Sequence, residues 1–579
     1  MKLVVMHYLR SLRERDELDA ILPDLLAESG FEVLTRPRRG TRQAGVDVAA
    51  VGPDRDRDGS RSLFLFTIKS GDLTREHWDT GQQAVRPSLN EVLDDYIPNR
   101  IPPHFAGLPV IICVCMGGEM REDVRAQWSG YCRANEKANI HFAEWNGDRL
   151  SDLILSGMLR AELIDSENRG LFHKALAMLD QPEVAYRHFR HLLNVIFTET
   201  KNQTERMRQL RKAYLCLWIL FAWARDADNL EAAYRASELV LLRSWPYCDI
   251  AHLRKGTTQH ERLAHFDQVL KLHFTIAHLL LVEKIGPFAD KRYALSMAVN
   301  SRNAVDINIA LFEMLGRLSL HGLWLDAMSG GEEESFAQAM NERADKVLNI
   351  AIGMLNANPV LAVPVRDDFT IELALFMRFA TLRGRLSNVA DYIRSMSDHL
   401  CYGLSARQHY PTPTTEYRDV LTHPRDRSDA YFEEHTRAGI LYIFVLAWLA
   451  MIGDQERAEH LRRTLLEHAP HMTHQIWIPD GRTDDVFWGG DRDHGLSVPG
   501  LPLNNSLDAV FSLLNRVMKE HPLDERISAV RNHLTPIFLM ACRHYRMPVP
   551  PHVWQGQKSA STVSDQATPN AEIEKSQDE

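Results

Sequence analysis

The sequence predicts an α/β domain, with a mixed sheet flanked by helices, followed by a large all-α region. Three observations predict it. Strand-like runs rich in β-branched and aromatic residues alternate with amphipathic helical text up to about residue 165, and beyond that point such runs cease. A chain of 579 residues is also too long for a single hydrophobic core. The expected division is 1–165 for the α/β domain, 166–550 for the helical region and 551–579 for a disordered tail, which is polar and almost free of large apolar side chains.

The chain opens on a helix, because Leu12, Leu18, Ile21, Leu22, Leu25 and Leu26 recur at helical spacing and Gly30 stands where a helix stops. Short β-prone text follows at 31–35. Residues 45–51 (Gly-Val-Asp-Val-Ala-Ala-Val) and 62–69 (Ser-Leu-Phe-Leu-Phe-Thr-Ile-Lys) are longer strand candidates. Between them lies Gly52-Pro53-Asp54-Arg55-Asp56-Arg57-Asp58-Gly59, so dense in turn residues that the pair reads as a β-hairpin. A helix over 78–96, a strand over 109–116, a helix over 122–134, a strand over 140–145 and a helix over 150–163 complete the domain.

In the helical region, apolar helices are repeatedly followed by a turn and an amphipathic helix: 217–225 with 229–242, 311–320 with 336–355, 373–382 with 388–399, and 443–451 with 455–466. These pairs are like the hairpins of an α-solenoid, but their irregular spacing leaves an irregular bundle equally open. Two long loops, 405–430 and 470–505, interrupt the helices. The apolar runs 213–224 and 438–452 fall short of the roughly 20 residues a spanning helix needs, so they read as buried core helices.

A formal net charge of -10 excludes a chain that coats nucleic acid by bulk electrostatics and requires any such contact to be focused. The seven cysteines (113, 115, 132, 216, 248, 401 and 542) are scattered, without the paired spacing of a zinc site or a disulfide framework. That usage suits a reducing cytoplasm. Residues 1–10 carry one short apolar run, less than a secretory leader needs.

Cutting a phosphodiester requires a divalent cation to neutralise developing charge, an activated water, and a cationic side chain to hold phosphate and water. Mg2+ prefers oxygen ligands and takes only one or two carboxylates from a protein. An acid at one strand and a lysine on its hairpin partner meet that need, because paired strands bring residues distant in sequence close together. Asp47 and Lys69 have this arrangement.

The surrounding text resembles the PD-(D/E)xK nuclease superfamily, and its Mrr-like restriction endonucleases in particular. The matching stretches are Glu17-Leu18-Asp19-Ala20-Ile21-Leu22 through Leu25-Leu26, Gly30-Phe31-Glu32-Val33, Gly40-Thr41-Arg42-Gln43-Ala44-Gly45-Val46-Asp47-Val48, and Phe66-Thr67-Ile68-Lys69. Ser70-Gly71-Asp72 with Trp78, and Phe142-Ala143-Glu144-Trp145-Asn146-Gly147-Asp148-Arg149-Leu150, are similar to segments of bacterial proteins of this kind. The likeness covers about the first quarter of the chain. It implies a restriction-endonuclease-like fold with Asp47 as principal metal ligand, the Ile68 carbonyl as a second, Glu17 as a third or water-mediated one, and Lys69 positioning the attacking water. Thr67 departs from the pattern, since the family usually has Glu, Asp or Gln two residues before the lysine. A neutral hydroxyl is a weaker ligand, so metal affinity falls unless another acid substitutes; Asp72 and Glu76 are the nearest.

Arg36, Arg38, Arg39 and Arg42 surround a glycine just before Asp47, where a phosphate backbone would approach such a site; a solvated charged loop is the plainer account. Glu14 lies one helical turn from Glu17, and both could be surface acids. Asp54, Asp56, Asp58 and Gly59 match half of an EF-hand loop, but Leu65 stands where its bidentate Glu should be, which leaves a polar turn. Asp491-Arg492-Asp493-His494-Gly495 reads as a plain loop, and His468, His471 and His474 as chance neighbours among 26 histidines. Trp477 and Trp488 suit a stacking platform or partial burial under their loop.

The implied protein is a cytoplasmic Mg2+- or Mn2+-dependent endonuclease acting on DNA, with RNA left open. Restriction or anti-phage defence suits this layout, the helical region binding a protein partner or a phage-derived trigger, with no membrane and with self-association open. The alternative is a non-catalytic nucleic-acid- or protein-binding scaffold that retains the nuclease fold.

Overall fold

The computed structural model describes residues 2–12, 14, 18–35, 44–57, 59–80, 84–156, 166–200, 202–248, 257–299, 301, 303–330 and 333–554. By its internal contacts the chain divides into two units, Met1–Lys284 and Ile285–Glu579.

The first unit is built on a five-stranded sheet: β1 Glu32–Thr35, β2 Val48–Pro53, β3 Arg61–Lys69, β4 Val110–Met116 and β5 Ile140–Trp145, in the order β1-β2-β3-β4-β5. The β1–β2 and β2–β3 pairings are antiparallel; β3–β4 and β4–β5 are parallel. The expected hairpin is β2–β3. Its turn closes through Asp54 N–H to the Ser60 carbonyl (2.9 Å), while the Asp54 carboxylate accepts from Asp56 N–H (3.2 Å), so the acids that mimic a calcium loop serve the turn. Strand β4 (Val-Ile-Ile-Cys-Val-Cys-Met) is buried at every position, as a parallel strand covered on both faces must be.

The parallel pairings need crossovers. The first runs through a π-type turn Glu76–Thr80, α3 Val85–Glu91 and a second π-type turn Val92–Tyr96, and the next through α4 Glu122–Asn135. These elements cover one face of the sheet, where Ala49, Val51, Leu63, Leu65, Ile112 and Val114 meet Trp78, Leu89 and Trp128. The other face carries an aromatic cluster in which Phe66 stands edge-on to Trp145 (centroids 4.9 Å apart) and Phe31 to Phe64 (5.1 Å). The opening segment forms two α-helical stretches, α1 Lys2–Ser11 and α2 Asp19–Glu28, where one helix was expected. Helix α5 Gly147–Ser156 packs on α1, with Lys2 Nζ 2.9 Å from Asp148 and 2.8 Å from Asp152.

Five further helices belong to this unit: α6 Ser166–Ala177, α7 Pro182–Ile196, α8 Gln203–Asp226, α9 Glu231–Cys248 and α10 Thr257–Ala277. The apolar run 213–224 lies inside α8, with Leu217, Ile219, Leu220 and Phe221 buried.

The second unit contains α11 Ala304–Met328, α12 Glu334–Ala357, α13 Thr370–Leu382, α14 Ala390–Ala406, α15 Leu441–Met451, α16 Gln455–His468, α17 Leu507–Glu520 and α18 Thr535–Tyr545. The helix pairs expected from sequence are all helical. An all-helical region is not what forms, however: β6 Ala438–Gly439, β7 Thr473–Ile478 and β8 Leu496–Pro499 make a three-stranded sheet. Strand β7 buries His474, Ile476 and Ile478 and turns Thr473, Gln475 and Trp477 outward, a period-two pattern hidden among turn residues. The run 438–452 thus splits into β6 and the buried helix α15. Among the described residues no helix is long and apolar enough to cross a membrane.

Candidate active site

Asp47 immediately precedes β2, and two hydrogen bonds tie it to β3. Its N–H donates to the Phe66 carbonyl (2.8 Å), and its Oδ2 accepts from Ile68 N–H (2.8 Å). Along an extended strand the N–H and C=O of one residue point to the same side. The Ile68 carbonyl is therefore turned toward Asp47 as well. The Asp47 carboxylate thus meets the main chain of β3 one residue before Lys69.

Lys69 is 6% exposed, and its Nζ donates to Glu14 Oε2 at 3.0 Å. Glu14 is half-buried, in the segment between α1 and α2. It is the acid brought to the lysine. Glu17, given that part by the resemblance, lies outside the described residues, as do Arg36, Arg38, Arg39 and Arg42. Glu14 is one helical turn away in the same charged run, and spacing alone did not separate the two.

Thr67 is 2% exposed and donates its hydroxyl to the Gly45 carbonyl (2.7 Å). The position where the family has an acid here bolts the segment leading to Asp47 onto β3. Gly45 itself adopts φ +79°, and a Cβ there would lie 2.1 Å from the Ser88 carbonyl oxygen, so only glycine lets this segment pass α3.

Of the substitute acids, Asp72 is engaged elsewhere. It accepts from Arg10 (2.6 Å), lies 3.5 Å from Arg121, and accepts from Glu119 N–H (3.1 Å). Desolvation opposes its ionisation, but the Arg10 hydrogen bond, the Glu119 amide and the two guanidinium charges outweigh it and hold the carboxyl below its usual range. Glu76 is exposed to solvent.

The carboxyl ends of β3, β4 and β5 are closed by backbone packed on backbone. A Cβ on Gly117 would sit 2.0 Å from the Leu9 carbonyl oxygen, and one on Gly147 would sit 2.3 Å from that of Gly117. Gly117→Ala is expected to lower stability by roughly 1–3 kcal/mol through overpacking, read as a shifted urea midpoint. Gly107→Ala, where an added Cβ meets nothing within 4 Å, is the control that should shift far less.

Among the described residues no group of three or more His, Cys, Asp or Glu side chains could hold a metal ion. Mg2+ asks for less, taking one or two carboxylates and keeping several waters, so Asp47 with the Ile68 carbonyl fits it. Elsewhere, Trp488 is 2% exposed and donates to Asp484 (3.3 Å), so it is no platform, and Trp477 donates to the His494 carbonyl (3.3 Å). His471 meets the Thr436 hydroxyl (2.7 Å), and His474 is buried.

Compared with known families, curated proteins and solved structures, the chain matches no family model, no curated protein and no solved structure.

Proposed function

We propose that the α/β domain is a metal-dependent endonuclease hydrolysing phosphodiester bonds in DNA, and that the helical region senses or scaffolds in a restriction or anti-phage defence role. The observation that supports this reading most is the hydrogen bond from Ile68 N–H to the Asp47 carboxylate, which ties the acid to β3 one residue before Lys69. Mg2+ or Mn2+ held by Asp47 and Ile68 would supply charge neutralisation at the scissile phosphate. The chain's own residues do the rest. Ile68 N–H fixes one oxygen of Asp47. Glu14 holds the Lys69 ammonium, which donates hydrogen bonds that position the attacking water or a phosphate oxygen. With Lys69 only 6% exposed, substrate approaches from the Asp47 side.

One observation favours a second reading, a binding module without catalysis: Lys69 is occupied by Glu14, and Thr67 supplies no charge. Incubating the purified protein with supercoiled plasmid and Mg2+ or Mn2+ separates the two. The endonuclease nicks or linearises plasmid, and Asp47→Ala abolishes this while melting normally. Plasmid retained on the protein but never cut, with or without Asp47, supports the binding module.

A further inference from the structure

The segment that opens the second unit exposes side chains a fold ordinarily hides. It runs from a 3-10 turn Gly286–Phe288 to a short helix Ala294–Ala298. Phe288 is 47% exposed, Tyr293 42% and Met297 82%. Tyr293 also holds φ +61°, a conformation that costs a bulky residue about 1–3 kcal/mol. A hydrogen bond from its N–H to the Ala357 carbonyl (3.0 Å) keeps it there.

Each ring carries a cation. Lys291 Nζ stands 4.6 Å from the Phe288 centroid and Arg292 Cζ 5.1 Å from that of Tyr293. Among the described residues neither cation has a carboxylate partner. The one acid of the segment, Asp290, packs beside Gly353, whose added Cβ would meet the Asp290 Cβ at 3.4 Å. Half-exposed rings, each with an unpaired cation over one face, complement a chain that offers flat bases and phosphates in alternation.

We propose that Phe288, Lys291, Arg292 and Tyr293 form a platform for single-stranded nucleic acid. Bases stack on the two rings while the cations take phosphates, without selection for sequence. The proposal is independent of cleavage.

The test uses full-length Asp47→Ala protein in EDTA and follows the anisotropy of a fluorescein-labelled oligothymidylate. Phe288→Ala and Tyr293→Asn, the latter chosen because asparagine tolerates positive φ, should each weaken binding by about tenfold, within the 1–3 kcal/mol expected per stacked base. Lys291→Gln with Arg292→Gln should flatten the slope of log K against log salt by about 1.4, at about 0.7 per phosphate lost. These two exposed substitutions leave the fold intact, so the proposal is exposed to failure even if an aromatic variant unfolds. Absence of oligothymidylate binding, affinity and salt slope unchanged by the substitutions, or polyglutamate bound in its place would each overturn it.

Discussion

Lys69→Ala is expected to lower Mg2+-dependent plasmid cleavage by about 10³-fold, equivalent to about 4 kcal/mol of transition-state stabilisation. Lys69 follows Ile68, whose N–H binds Asp47, and its ammonium is held by Glu14 at 3.0 Å, so its removal takes away both a donor and the charge that balances Glu14. The same substitution leaves Glu14 half-buried without its cation, which costs stability for a reason unrelated to chemistry. Lys69→Ala/Glu14→Ala removes that complication. It should melt near the parent and still fail to cut. Glu14→Gln keeps a hydrogen-bond acceptor on Lys69 and should retain measurable cleavage, with a smaller loss than Lys69→Ala. Single-turnover rates on plasmid, beside a thermal midpoint for each protein, check all three. Equal activity in Lys69→Ala and the parent would sink the endonuclease reading.

Acid is expected to destabilise the first unit well above the pH at which carboxylates titrate. His265 on α10 is 3% exposed, its Nε2 has no hydrogen-bond partner, and burial pushes its pKa down to about 4. The unfolded chain binds a proton there below about 6.5. Between those two values the unfolded state therefore holds more protons, and stability falls as pH falls. The loss approaches about 3 kcal/mol by pH 4, since one pKa unit is worth about 1.4 kcal/mol. His188 shifts the same way through burial. Asp72, whose carboxyl titrates below its usual range, contributes stability that is lost only beneath this window. In the second unit His474, also lowered to about 4 by burial, acts in the same direction, but Asp367 opposes it. Burial raises Asp367 to about 6, so the folded state gains a proton first as pH falls and is stabilised by it. Urea denaturation at pH 7.5 and pH 5 should show the loss, and His265→Leu should remove most of it. Stability that holds or rises on acidification in the parent would refute the argument.

The fold of the first unit was legible because its strands carry their own pattern. Hydrophobic text marked β3 and β4 to within a residue or two, since strands buried on both faces are apolar along most of their length, and β5 was marked by its alternating Ile, Phe and aromatic text. Strand β2 begins three residues later than the apolar run, at Val48 rather than Gly45. The reason is local: the Asp47 side chain, not its backbone alone, engages Ile68 N–H, so the regular ladder stops short of the acid. The pairing of Asp47 with the lysine strand could be read from the hairpin, whereas the pairing of Glu14 with Lys69 could not. Glu14 and Glu17 lie one helical turn apart in the same charged run, so spacing gives both the same standing. The small sheet of the second unit was hidden differently. Strand β7 alternates correctly, but flanking Pro, Gly and Asp made the whole stretch read as loop, and β8 shows only Leu-Ser-Val-Pro.

The topology also sets an order of events as the chain is made. Asp47 and Lys69 belong to neighbouring strands joined by the turn from Asp54 to Ser60, while β4 reaches β3 only after a helical crossover. A hairpin closes in roughly microseconds, and pairings across longer loops arrive later. The hairpin also leaves the ribosome ahead of β4 and β5. The nascent polypeptide therefore holds its acid and amine on paired strands while both are still hydrated, and the walls around them are assembled afterwards.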